Sequence, residues 1–185
     1  MNNSFQETIR VLAISPTSGG FGFVVFEGPE RLIDWGLKTA RDETNARCVR
    51  LVADLLTHYV PDVLVIEDTN KMNLGWWRWR RGRRVTDLLT RIVGLAARRN
   101  IECRRISRAT PKSLVAPLEP MTKHQIATAV TTLLPELTPS LPKPRKLWTS
   151  EDSRMSIFEA AALALAFFRF STQPQCEAAD ASNAA

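Results

Sequence analysis

Val63-Leu64-Val65-Ile66 is an unbroken apolar run, opened by Pro61-Asp62 and closed by Glu67-Asp68. A strand of this kind has no polar face, so both of its sides must be covered. It belongs in the interior of a sheet, with other elements packed above and below it. Three β-rich stretches precede it, at 8–14, 21–26 and 32–37. Short turns, Ser15-Pro16-Thr17-Ser18-Gly19-Gly20 and Gly28-Pro29, separate them, which predicts an antiparallel meander.

Residues 45–59 carry helical periodicity, with Val49, Val52, Leu55 and Leu56 on one side. A second helix is expected from about Arg84 to Arg98, and a fifth strand over 101–106. Thr110-Pro111 opens a short helix. Thr122 and Gln125 have capping-box spacing before a helix ending near Leu134-Pro135. Residues 139–144 read as a Pro/Lys-rich linker, and Ser150 reads as the N-cap of a last helix reaching Phe170. This order predicts an α/β domain over 1–170. Its five-stranded mixed sheet combines the β1–β3 meander with parallel strands, and helices flank it. The Ala/Ser/Gln-rich stretch 171–185 is expected to be a disordered tail.

Trp76-Trp77-Arg78-Trp79-Arg80-Arg81-Gly82-Arg83-Arg84 follows the apolar strand closely. Exposed indoles need covering and clustered guanidinium groups need anions. A nucleic acid supplies both, as bases for Trp and phosphates for Arg. Between Lys71 and Arg108 stand twelve basic residues and two acids, a net +10 against +6 for the whole chain. The opposing reading packs Trp76 and Trp79 onto the core and leaves the arginines to water. A protein interface is a third reading, since Trp and Arg are enriched there too.

Cys48, Cys103 and Cys176 are scattered, with no zinc-ligand spacing. They read as free thiols of a reducing, cytoplasmic setting. Met1-Asn2-Asn3-Ser4 starts no signal peptide. The longest apolar run, 160–168, is too short to span a bilayer, so no membrane partner is expected.

Metal-dependent phosphoryl transfer needs converging carboxylates. Glu67 ends the apolar strand. Asp152, Ser156 and Glu159 are spaced i, i+4, i+7, one face of the expected last helix. Glu151 and Asp152 also suit a helix first turn with no further role. Asp68 reads as a solvated loop residue. Glu159, on a helix otherwise rich in Ala, Leu and Phe, needs a partner. His124 reads as a surface residue and His58 as structural.

These residues carry a resemblance. Ile14-Ser15-Pro16-Thr17-Ser18 with Gly22 resembles the Ile-Asp-Pro-Gly-Ser first-strand motif of RuvC-type Holliday junction resolvases, in the RNase H-like superfamily. The strand closing on Glu67 is similar to the family's fourth, where a glutamate ligates metal. Lys112 and Lys123-His124-Gln125-Ile126 resemble its lysine-bearing stretch. Ser156-Ile157-Phe158-Glu159-Ala160-Ala161 resembles its closing Asp-x-x-Asp-Ala. The likeness spans about 9–168. It implies an RNase H-like fold, Mg²⁺ or Mn²⁺ as the cofactor of a catalytic form, DNA rather than RNA as partner, and a homodimer. Ser15 and Ser156 stand where the family has acids, and a hydroxyl is a poor magnesium ligand beside a carboxylate.

Two functional readings follow. In one, the chain binds branched or structured DNA with weak or no cleavage. Trp76, Trp77, Arg78, Trp79, Arg80, Arg81, Arg83, Arg84, Lys112 and Lys123 contact the strand. In the other, it is a Mg²⁺- or Mn²⁺-dependent endonuclease. There Glu67, Glu159 and Asp152 serve as metal ligands and catalytic acids, with Asp68 as a further replacement. An assembly module on the same fold is a weaker third reading.

Overall fold

The computed structural model of the chain describes residues 8–40, 44–68, 76–107, 122–145 and 150–171, with the side chains of 44, 76–81 and 171 outside that description. Strands β1 (Arg10–Pro16), β2 (Gly20–Glu27) and β3 (Arg31–Thr39) form the antiparallel meander. Gly28 turns β2 into β3 at a φ of 71°, the left-handed region that glycine enters without steric cost. Helix α1 (Thr44–Tyr59) leads to β4 (Val63–Asp68), which runs parallel to β1. Helix α2 (Trp76–Arg98) leads to β5 (Glu102–Ser107), parallel to β4. The strand order is β3-β2-β1-β4-β5, which puts β4 in the interior as its apolar run requires. Helix α3 (Lys123–Leu133), a 3-10 helix (Pro135–Ser140) and α4 (Met155–Ser171) complete the described chain.

The period-2 geometry of the strands divides the core into two layers. Val11 and Ala13 of β1, Val24 and Phe26 of β2, and Val63 and Val65 of β4 pack with α3 and α4. The alternate residues, Leu12 and Ile14, Phe23 and Val25, and Leu64 and Ile66, pack with α1 and α2. Phe26 and Phe168 meet edge to face with ring centroids 5.9 Å apart. Burial of such a side chain contributes roughly 1.5–3 kcal/mol. The same alternation carries Ser15 and Glu67 to the face covered by α4.

Helix α4 lies close to the sheet because its inner residues are small, with Ala160, Ala161 and Ala164 among the buried ones. The helix passes close over Gly22, the β2 partner of Ser15. A methyl group on Gly22 would sit 2.4 Å from both the carbonyl carbon and the Oγ of Ser156, and 2.6 Å from the Ile157 nitrogen. Glycine is therefore demanded here by clearance.

Three local expectations are corrected. Helix α2 begins at Trp76 rather than near Arg84, so the tryptophan–arginine block is its first turns. Helix α4 begins at Met155, and Ser150 does not open it. The Asp152 carboxylate instead accepts the Arg154 backbone N–H at 2.9 Å. Asp152 thus precedes the helix and does not share its Ser156–Glu159 face. Part of the expected linker, up to Ser140, is 3-10 helix. The capping box at Thr122 and Gln125 forms as its spacing predicts. The expected helix start at Thr110-Pro111 and the tail beyond Ser171 lie outside the described residues.

Gly22→Ala should destabilise the fold by about 1–3 kcal/mol, because backbone atoms on α4 cannot move aside cheaply. Gly19→Ala should cost nothing, since nothing lies within 4 Å of the added methyl. Urea denaturation midpoints of the two variants check this contrast.

Candidate functional site

The site forms where the apolar alternation of β1 and β4 gives way to polar residues at their C-terminal ends. Ser15 follows Ile14, and Glu67 follows Ile66; Ile14 and Ile66 are register partners across the parallel pair. Helix α4 crosses above them. Ser15 is 1% exposed, and its Oγ donates to Glu159 Oε2 at 2.9 Å. A hydroxyl buried that deeply needs a partner, and the carboxylate supplies one.

Glu159 is also held from the other side. Lys123 Nζ lies 2.8 Å from Glu159 Oε1. The same ammonium reaches Glu151 Oε1 at 2.7 Å and donates to Glu151 Oε2 at 2.8 Å. Lys123 is the first residue of α3, where the Thr122 capping box fixes the backbone. One hydroxyl and one ammonium therefore meet the two oxygens of Glu159.

Ser156, one turn before Glu159, turns its hydroxyl away from this set and donates to the Ser153 carbonyl at 2.6 Å. Asp152 is gripped by Arg154, whose Nη2 lies 2.7 Å from Oδ2. That hydrogen bond holds the Asp152 carboxyl below its usual range. Glu67 is half-buried at the end of β4, with Oε1 shielded from solvent. The structure thus brings Ser15, Glu159 and Lys123 together. It gives Asp152 a different partner, and Lys112 lies outside the described residues.

This donor set does not suit a magnesium ion as arranged. A neutral hydroxyl stands on β1, and an ammonium already occupies one side of Glu159. Among the described residues no group of three or more His, Cys, Asp or Glu side chains could hold a metal ion.

The basic segment is partly committed to structure. Arg84 Nη1 donates to the Ser18 carbonyl, and its Nε donates to Asn45 Oδ1 at 3.2 Å. Arg91 pairs with Asp87 at 3.0 Å, and Arg104 with Glu102 at 2.6 Å. Arg99 Nη1 donates to the Ala53 carbonyl and to Thr57 Oγ1, both at 2.9 Å. Arg83, Arg98 and Arg105 are exposed. The apolar face of α2, through Leu88, Leu89 and Ile92, is spent on the core. The Arg84 anchor ties α2 to the loop three residues past Ser15. The first turns of α2, Trp76 to Arg81, precede that anchor; their side chains are not described.

Sequence reasoning missed the Lys123 bridge, the Arg84 anchor and the Ser15–Glu159 hydrogen bond. Strand parity was the available signal for the last, since 11, 13 and 15 share a face. His124, expected at the surface, is half-buried with Nε2 3.0 Å from the Pro142 carbonyl oxygen. Burial raises the Cys48 and Cys103 thiols above their usual value, so neither suits nucleophilic chemistry.

Ser15→Ala removes a buried hydrogen bond to a carboxylate and should cost about 1–2 kcal/mol in chemical denaturation. A second expectation concerns acid. A carboxyl with a depressed folded pKa stabilises above its unfolded value, near 3.9 for Asp. That stability is lost as pH falls through the folded value. Asp152→Asn should therefore melt slightly below wild type at neutral pH, and the gap should close in acid. A gap that does not narrow as pH falls below the unfolded value would exclude the Arg154 pairing as its source.

No protein-family model matches this sequence, and no curated protein matches it. Solved structures do. RuvC of Thermus thermophilus in complex with a Holliday junction substrate superposes with a TM-score of 0.64 at 17% identity, covering 89% of this chain and 96% of that one. The yeast mitochondrial Holliday junction resolvase gives 0.58 at 17% identity, over 88% of this chain and 79% of that one. The fowlpox virus resolvase, complexed with Holliday junction DNA, gives 0.53 at 12% identity, over 89% and 100%. Likeness at such identities speaks to architecture rather than to activity. The strand order, the crossing of α4 and these superpositions agree that this chain has the RNase H-like fold in its RuvC-like form.

Proposed function

We propose that this chain binds branched DNA and cleaves it weakly or not at all. The observation that carries this reading is the state of Glu159, whose carboxylate is matched by the Ser15 hydroxyl and the Lys123 ammonium. Metal-assisted hydrolysis draws on carboxylates that are free to clamp ions between nucleophile and leaving group. Here two acid positions, 15 and 156, are serines and a remaining acid is engaged by a lysine.

The gripping surface is the other half of the reading. The basic first turns of α2 run up to the Arg84 anchor, which meets the loop after β1. Phosphates pair with Arg78, Arg80, Arg81 and Arg83 there, and unstacked bases at a branch point find Trp76, Trp77 and Trp79. The fold likeness to proteins solved with Holliday junction DNA supports DNA over RNA and a branched form over linear duplex. A pair of copies would suit the two-fold symmetry of a four-way junction.

The competing reading is an active Mg²⁺- or Mn²⁺-dependent endonuclease that uses Glu67, Glu159 and a third acid. It would require Lys123 to leave Glu159 and Asp152 to leave Arg154.

Fluorescence anisotropy with four-way junction and linear duplex DNA, followed by cleavage assays in Mg²⁺ and in Mn²⁺, separates the two. The expected result is tighter junction binding with at most trace cutting. Trp77→Ala combined with Arg80→Ala should weaken binding and lower the salt slope by about 0.9 for each phosphate that is no longer neutralised. Junction cleavage that disappears in Glu67→Ala would overturn the reading, and an unchanged salt slope would remove the block from it.

A further inference from the structure

We infer that the Lys123 ammonium is the resident cation of the acid site, taking the electrostatic place of a divalent ion. The inference rests on reading Ser15, Glu67 and Glu159 as the resolvase-like site. Three observations carry it. First, Nζ is coordinated by acids from two places: both oxygens of Glu151, at 2.7 and 2.8 Å, and Glu159 Oε1 at 2.8 Å. An ammonium has three donors, and these three contacts use them. Second, the backbone that carries this solvent-exposed lysine is fixed. Lys123 opens α3, directly after the reciprocal Thr122–Gln125 cap. Third, the remaining oxygen of Glu159 is met by the Ser15 hydroxyl at 2.9 Å.

Positions 15 and 156 carry hydroxyls rather than carboxylates, so the site offers a divalent ion less negative charge than a resolvase-like acid set would. The Lys123 ammonium supplies the positive charge that meets the acids still present, Glu151 and Glu159. Folding and DNA binding then need no added metal.

The test uses the full chain and Mn²⁺ as the probe, read by electron paramagnetic resonance of the free ion. Wild type should leave the free Mn²⁺ signal unchanged, and its junction binding should be the same in Mg²⁺ and in EDTA. Ser15→Asp combined with Lys123→Met should gain saturable Mn²⁺ binding, with affinity at least about tenfold above wild type. Its melting temperature should rise when Mn²⁺ is added. Saturable Mn²⁺ binding by wild type that Glu159→Gln abolishes would overturn the inference. So would a folded double variant that binds Mn²⁺ no better than wild type. If the double variant does not fold, the wild-type titration still decides. Junction binding is scored separately: its absence sinks the DNA-binding reading, whereas junction binding together with wild-type Mn²⁺ binding sinks only the resident lysine.

Discussion

Helices cover both faces of this sheet, so its interior strands have no side on which a polar residue can rest without a partner. That constraint orders everything else. Along β1 and β4 the odd positions point to α3 and α4 and the even ones to α1 and α2. While the residues are Val, Ala, Leu and Ile, each layer fills with apolar surface. Where the alternation reaches Ser15 and Glu67, the next odd positions, a hydroxyl and a carboxylate point into the α4 layer. A polar residue delivered there must be met by another polar group. Glu159 is the one carboxylate on α4, and the Ser15–Glu159 hydrogen bond follows from it.

The parts of this fold that were legible in the sequence are those governed by local periodicity. The 63–66 run announced an interior strand, and the Thr122–Gln125 spacing announced a cap that does form. The meander was readable from its turns. What stayed hidden depends on separations that no local pattern encodes. Ser15 and Glu159 are 144 residues apart, and Arg84 reaches Ser18 across 66. The early start of α2 was obscured for another reason. Trp76 to Arg84 shows no apolar stripe, since its arginines fall on every side and Gly82 interrupts it. The start of α4 was misplaced because Ser150 is a good N-cap by type, while Asp152 forms a tighter turn onto Arg154.

The charge of the 71–108 segment also changes meaning once folded. As a sum, +10 reads as a phosphate-binding surface. In the fold, Arg84, Arg91, Arg99 and Arg104 each have protein partners. Two of these arginines are answered by the only two acids of the segment. Arg83, Arg98 and Arg105 are exposed. Net charge points to a polyanionic partner, while the ion pairs show how much of that charge the fold already engages.

The basic helix and the acid site are held by different contacts, so one can change without the other. The basic helix is fastened by Arg84 to Asn45 and to the loop after β1, through contacts that use no acid of the site. The acid site is fastened by α3, α4 and Ser15. A change at Ser15 or Lys123 alters the charge around Glu159 without loosening α2. The opposite dependence is weak as well, since no described contact of Arg84 involves Glu159. Glu159 on α4 needs polar partners, and the ammonium at the capped start of α3 and the Ser15 hydroxyl supply them without drawing on the helix that carries the arginines.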